Sequence, residues 1–269
     1  GDAGGIFVQS GEALTVGTLN TADATSQNIT IAGTAITLAG DGGAYALDSD
    51  VVTINPTGAF TLSQALNLGS LSVSGGTTIT ISNAITTANS TTGASGGISL
   101  SGSGAVALNA ALATGTSNIA ESGGADTATT GSISVTSTGG AITGNASGTL
   151  TTGAATVDGT TNNDSATSGT VTLNASGAIE LVAADALKVG NATVTNGNAG
   201  DTATTGNITV SSADKLSSNG ASGQVDVSFG TASAGTGTPA AGKLNVTTDG
   251  GVGDAGGIFV QSGEALTVG

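Results

Sequence analysis

The residues able to do chemistry in this chain are almost all carboxylates. The 269-residue sequence has 18 Asp and Glu, three Lys (Lys188, Lys215, Lys243), and no His, Cys or Arg. No general-base histidine, thiolate nucleophile or nitrogen and sulfur metal site can therefore be built. Two chemistries remain open to carboxylates: glycoside hydrolysis by a pair, and oxygen ligation of calcium. A hydrolytic pair finds no support, because Glu180 and Asp226 are the carboxylates expected in strands and they fall on different coils. No cofactor is required, and the chain reads as a non-enzyme. Calcium is the one ion worth weighing. Asp41, Asp48, Asp50, Asp126, Asp158, Asp164 and Asp201 all sit near Gly and Asn, and Asp126, Asp164 and Asp201 are the foremost candidates. The G-G-x-G-x-D nonapeptide of calcium-binding β-rolls is absent. The plain reading of these residues is turn carboxylates facing water. Loop words at Asp126 and Asp201 are related, but their coils are not expected to be adjacent.

Composition narrows the partners. The net charge is −15, and no basic patch exists to release counterions from phosphates, which disfavours nucleic acid and anionic lipid, so neither nucleic acid nor membrane insertion of this segment is expected. No apolar run approaches the roughly 18 residues of a membrane-spanning helix. The absence of Cys suits a chain exported unfolded. With 47 Gly, one Tyr, four Phe and no Trp or Met, large side chains are too few for a broad core, so the interior must be narrow and aliphatic.

The elements that would carry these residues are set by repetition. Residues 1–17 read GDAGGIFVQSGEALTVG and residues 253–269 read the same, a period of 253 − 1 = 252. Inside it, an aliphatic–polar–aliphatic word recurs: Ile29-Thr30-Ile31, Val52-Thr53-Ile54, Leu71-Ser72-Val73, Ile98-Ser99-Leu100, Ile133-Ser134-Val135, Val171-Thr172-Leu173, Ile208-Thr209-Val210 and Leu244-Asn245-Val246. Alternation of this kind marks a strand with one buried face. Successive words are 23, 19, 27, 35, 38, 37 and 36 residues apart, and the next copy of Ile29 lies 37 beyond Leu244. The expected fold is an all-β, parallel β-solenoid of about eight coils per 252-residue block, a single segment over residues 1–269 that continues beyond both ends.

Second strands are expected at Ile36/Leu38, Phe60/Leu62, Ile79/Ile81, Val106/Leu108, Ile179/Leu181 and Ile258/Val260. Third strands are expected at Tyr45/Leu47, Leu66/Leu68, Leu187/Val189, Val225/Val227 and Leu266/Val268. Coil length varies through an insertion at one corner, with GADTATTG (residues 124–131), NDSATSG (163–169), AGDTATTG (199–206) and GTGTPAAG (235–242) read as stacked loops. The outer column of mixed Ser99, Ser134, Thr172, Thr209 and Asn245 gives one hydroxyl or amide per strand, short of the paired Thr-x-Thr array of an ice-binding solenoid. Sequons at Asn28, Asn191 and Asn207 lie on or beside strands and are read as structural.

The phrases SGGISLSGSGAVALNAALATG (residues 95–115) and SGTVTLNASGAIELVAADALKVG (168–190) resemble filamentous-haemagglutinin-like exoproteins of two-partner secretion and related autotransporter passengers, and the likeness covers most of residues 29–246. That resemblance implies a right-handed parallel β-helix exported to the bacterial cell surface or beyond it, with roles in adhesion or aggregation. The expected function is the structural shaft of an extracellular adhesin or surface filament. The alternative is a fibre or sheath subunit stacking end to end, and a minor one is a carbohydrate-active or ice-binding solenoid. Expected partners are neighbouring blocks or copies end to end, with lateral bundling and a host or surface receptor also open.

Overall fold

The computed structural model describes residues 5–17, 19, 27–40, 45–47, 50–120, 122–159, 163–218 and 225–248, and the backbone of 258–262. It is an all-β parallel solenoid, with 33 strands in five sheets among the described residues. Sheet I holds nine strands, sheets II and III eight each, and sheets IV and V four each.

Sheet I is built from the recurring words. Ile98 pairs with Ile133, Ile133 with Val171, Val171 with Ile208, and Ile208 with Leu244, each in parallel register. Their side chains point inward and are fully or almost fully buried. The aliphatic residues thus stack on one another, and the Ser, Thr or Asn between them turns outward, as period-two alternation requires. A ninth strand, Ile6–Gln9, lies on Asn28–Gly33 with Ile6 opposite Ile29.

Sheet II takes the expected strands at Ile36, Phe60, Ile79, Val106 and Ile179, and adds Leu14–Val16, Ile142–Gly144 and Leu216–Ser217. Sheet III takes those at Tyr45, Leu66, Leu187 and Val225, and adds Ile85–Thr87, Leu112–Ala113 and Leu150–Thr151. One assignment is corrected. Ile258–Ser262 is no second strand: it lies in sheet III on Val225–Phe229, Ile258 opposite Val225. The Leu266/Val268 strand lies outside the described residues. Sheets I, II and III enclose a continuous core of Ile, Leu and Val, with Phe60 its largest fully buried side chain.

The corner insertions are not loops. Residues 127–129, 165–167, 202–204 and 238–240 form the parallel strands of sheet V, and facing them Ser117–Ile119, Ala155–Asp158, Ala192–Thr195 and Ala232–Ser233 form sheet IV. The two sheets close a separate, thinner lobe beside the main column. Its interior is Ala128, Ala155, Ala166, Ala192 and Ala203 with Val157, Val194 and Ile119. Ala is the inward residue because two sheets meeting without a third side leave room for little more than a methyl group. Coils of 19 to 27 residues go round three sheets, whereas those of 35 to 38 go round all five.

Candidate functional site

The side lobe is where the candidate carboxylates converge. Each of Asp126, Asp164 and Asp201 immediately precedes a sheet V strand, and the pairing of Thr127 with Ser165 and of Ser165 with Thr202 sets the three Asp on consecutive levels. Asp126 and Asp201 are indeed two coils apart, but Asp164 fills the level between them and completes a column. Sequence reasoning missed the column, although its signal was present: each Asp stands seven residues before a first-strand aliphatic (133 − 126, 171 − 164, 208 − 201). A loop has no reason to hold that spacing.

The hydrogen bonds show what the column does. The N–H of Asp126 donates to Asp164 Oδ1 at 2.8 Å, and the N–H of Asp164 donates to Asp201 Oδ1 at 2.9 Å. At the ends, Ser122 donates to Asp126 from its N–H (2.8 Å) and its hydroxyl (2.6 Å), and the Asn198 N–H donates to Asp201 Oδ2. Asp164 and Asp201 are fully buried. The chain enters sheet V at this point, and a carboxylate on the neighbouring level supplies the acceptor for the N–H of Asp126 and of Asp164, while the Asp201 N–H donates to Asn198 O at 3.2 Å. Among the described residues no group of three or more His, Cys, Asp or Glu is placed to hold a metal ion. The calcium candidates are thus brought together, yet Asp126 Oδ2, Asp164 Oδ1 and both oxygens of Asp201 accept from main-chain N–H groups, and Asp126 Oδ1 accepts from the Ser122 hydroxyl.

The other carboxylates are scattered. Asp50, 1% exposed, accepts the Gln27 N–H at 2.8 Å at the entry to sheet I. Asp158 accepts the Thr195 hydroxyl at 2.8 Å. Glu180 lies on sheet II and Asp226 on sheet III, so they do not pair. Asp41 and Asp48 lie outside the described residues.

Between the main column and the lobe runs a neck closed by buried hydroxyls. On one side stand Thr87, Thr114 and Thr152, and on the other Ser95, Thr130, Ser168 and Thr205, all at most 7% exposed. The Thr114 hydroxyl donates across the neck to Gly131 O at 3.0 Å and accepts the Gly153 N–H at 3.0 Å. Thr130 donates to Gly153 O at 3.1 Å and accepts the Gly169 N–H at 2.7 Å. Thr152 donates to Gly169 O at 3.2 Å and accepts the Gly190 N–H at 3.1 Å. The result is a zigzag of hydroxyl–glycine links up the axis. Glycine is required beside it, since a Cβ on Gly131 or Gly169 would lie 2.0 or 1.9 Å from the carbonyl oxygen of the glycine one level away.

No family model, no curated protein and no solved structure matches the chain. The outer faces are therefore judged from their own residues. Sheet I carries two polar columns: Thr30, Thr53, Ser72, Ser99, Ser134, Thr172, Thr209 and Asn245 form one, and Ser74, Ser101, Thr136, Asn174, Ser211 and Thr247 form the second. Sheet V adds the pairs Thr127/Thr129, Ser165/Thr167 and Thr202/Thr204 about the inward Ala. The expectation of one hydroxyl or amide per strand is corrected on sheet I, where strands of five residues turn two side chains outward; on sheet V a three-residue strand does so with its first and third residues. A recess of about 390 Å³ lies under the first level of the lobe and is lined by Val51, Ser70, Asn89, Ser90, Thr92 and Ala94 among others. It exists because the short coils below lack the lobe.

Proposed function

We propose that the chain is a segment of the structural shaft of an extracellular bacterial adhesin or surface filament, built from tandem solenoid blocks. The observation that carries this reading is sheet I, which runs without interruption through nine levels in a chain whose sequence repeats after 252 residues. A column of this kind transmits length, because every added coil finds its hydrogen bonds on the one before it. Hydroxyl and amide groups outside and aliphatic groups inside suit a solvated rod. Eight levels at about 4.8 Å give an advance of roughly 38 Å per block. Imaging of rods from chains of one, two and three periods is expected to show that increment, and an antibody against this chain is expected to label intact cells. Rods that do not lengthen with period number, or label confined to lysed cells, would refute the proposal.

A second reading is favoured by the paired hydroxyls of sheets I and V, spaced about 4.8 Å between levels and about 6.7 Å along a strand. Such a lattice would order water, and a freezing-point hysteresis in the purified protein would support it. Freezing indistinguishable from that of a control protein removes it.

A further inference from the structure

One sequence occupies two places in this fold. Residues 1–17 and 253–269 are identical, yet Ile6–Gln9 lies in sheet I with Ile6 on Ile29, whereas Ile258–Ser262 lies in sheet III with Ile258 on Val225. When one block follows another, a single segment must serve as both, and coil length decides between the two places. If the segment kept its sheet I place, the coil beginning at Leu244 would close at the next copy of Ile6, after 14 residues (258 − 244). The shortest coil in the structure takes 19 (71 − 52) to form its three strands. Fourteen residues do not go round the same core.

The sheet III place removes the conflict. Val260 then stands 16 residues after Leu244, the spacing from Val171 to Leu187, and Leu187 and Val260 flank Val227 in that sheet. The coil closes at the next copy of Ile29 after 37 residues, within the 35 to 38 of the coils that carry the lobe. The words before the two aliphatics agree as well: ATSQN precedes Ile29 as ATSGT precedes Val171.

We infer that the Asn28–Gly33 edge is a docking surface for the C-terminal edge of a second copy of this block, and that Ile6–Gln9 is its displaceable cover. In the joined state Leu244–Thr248 lies directly on the next copy of Asn28–Gly33, with Leu244 level with Ile29, Asn245 with Thr30 and Val246 with Ile31. The covering segment moves to sheet III of the joining coil. Two exposures agree with this. Phe7, 66% exposed, is the one large apolar side chain in an outer column of Thr, Ser and Asn, and Val246, 37% exposed, is an inward position on the last sheet I strand among the described residues. The inference rests on the shaft reading, since it requires that blocks join.

The chain has no cysteine, so a pair of introduced thiols reports contact cleanly. In the full chain extended by one further period, Asn245→Cys in the first period is combined with Thr30→Cys in the second. Neighbouring parallel strands, about 4.8 Å apart, fall within the Cα separation of a disulfide. The rival pair is Phe259→Cys with the same second-period Thr30→Cys, which joins if the segment stays in sheet I. The expected result is loss of both free thiols in the first pair on mild oxidation, with both kept in the second. Crosslinking of the second pair, of both, or of neither overturns the inference. Rod length of the unmodified two-period chain separates the failures: a rod advanced by a full block with the wrong crosslink leaves the shaft standing, and no lengthening sinks both.

Discussion

The hydroxyl zigzag predicts a specific cost for Thr130→Val. The substitution keeps the shape of the side chain and removes both functions of its hydroxyl: the donor to Gly153 O at 3.1 Å and the acceptor for the Gly169 N–H at 2.7 Å. Thr130 is 3% exposed, so water does not readily replace either partner. A buried group left without a partner costs about 1–3 kcal/mol, and two such groups, one held at long range, give a loss of about 2–4 kcal/mol. Thr130→Ser keeps both bonds and gives up one methyl, a loss of about 1 kcal/mol. Solenoid stability is a sum over levels, so the effect stays near the altered neck. Amide hydrogen exchange at Gly169 is the sensitive assay, with Gly242, whose N–H is bonded to Thr205 Oγ1 at 2.6 Å on a distant level, as the internal control. Exchange at Gly169 is expected to accelerate in Thr130→Val by a factor of about 30 or more, at 1.4 kcal/mol per tenfold, and to change far less in Thr130→Ser. Equal behaviour of the two variants, or acceleration at every level alike, would refute the neck as a local polar lock.

The glycine ladder makes a paired prediction: Gly169→Ala places its Cβ 1.9 Å from Gly131 O and 2.6 Å from Gly131 C, whereas Gly93→Ala meets nothing within 4 Å. Thermal unfolding is expected to drop sharply in the first, by more than the 1–3 kcal/mol typical of overpacking a side chain, and to change little in the second. In the carboxylate column, Asp164→Ala removes the acceptor of the Asp126 N–H and is expected to cost about 2 kcal/mol in denaturant unfolding, while Asp164→Asn keeps an acceptor oxygen and costs less. Added calcium and chelator are both expected to leave the unfolding midpoint of the unaltered chain in place; a rise with calcium would show that the column takes an ion.

How much of this was legible follows from side-chain size. The sheet I words were readable because Ile, Val and Leu alternate with Ser, Thr and Asn, and every one of them falls in register. The lobe was not, because its inward residues are Ala128, Ala166 and Ala203 between threonines and serines, a pattern whose hydropathy barely alternates. Gly, Asp and Asn around those words also carry the usual signature of a loop. The neck hydroxyls were invisible for a further reason. Thr114, Thr130 and Thr152 are polar residues facing inward, and only the approach of two opposed Thr-Gly steps across the neck gives them partners. Paired outer hydroxyls were undercounted because each word was read as three residues where the strands run to five.

The neck and the thin lobe together explain a composition that looks ill suited to folding. Glycine in a strand weakens it by about 0.5–1 kcal/mol relative to Ala, yet the neck uses stacks of it: Gly96, Gly131, Gly169, Gly206 and Gly242 on one side, Gly115, Gly153 and Gly190 on the other. No other residue lets the two chain segments run so close that a hydroxyl on one reaches a carbonyl on the other. Once that spacing is fixed, the lobe beyond is filled mainly by Ala and Val, and the carboxylates at its rim accept from the main-chain N–H groups of Asp126 and Asp164. The same feature that makes each coil weak alone, its lack of bulk, lets coils of different length stack in register. Length then grows with the number of coils, which is the property the proposed shaft requires.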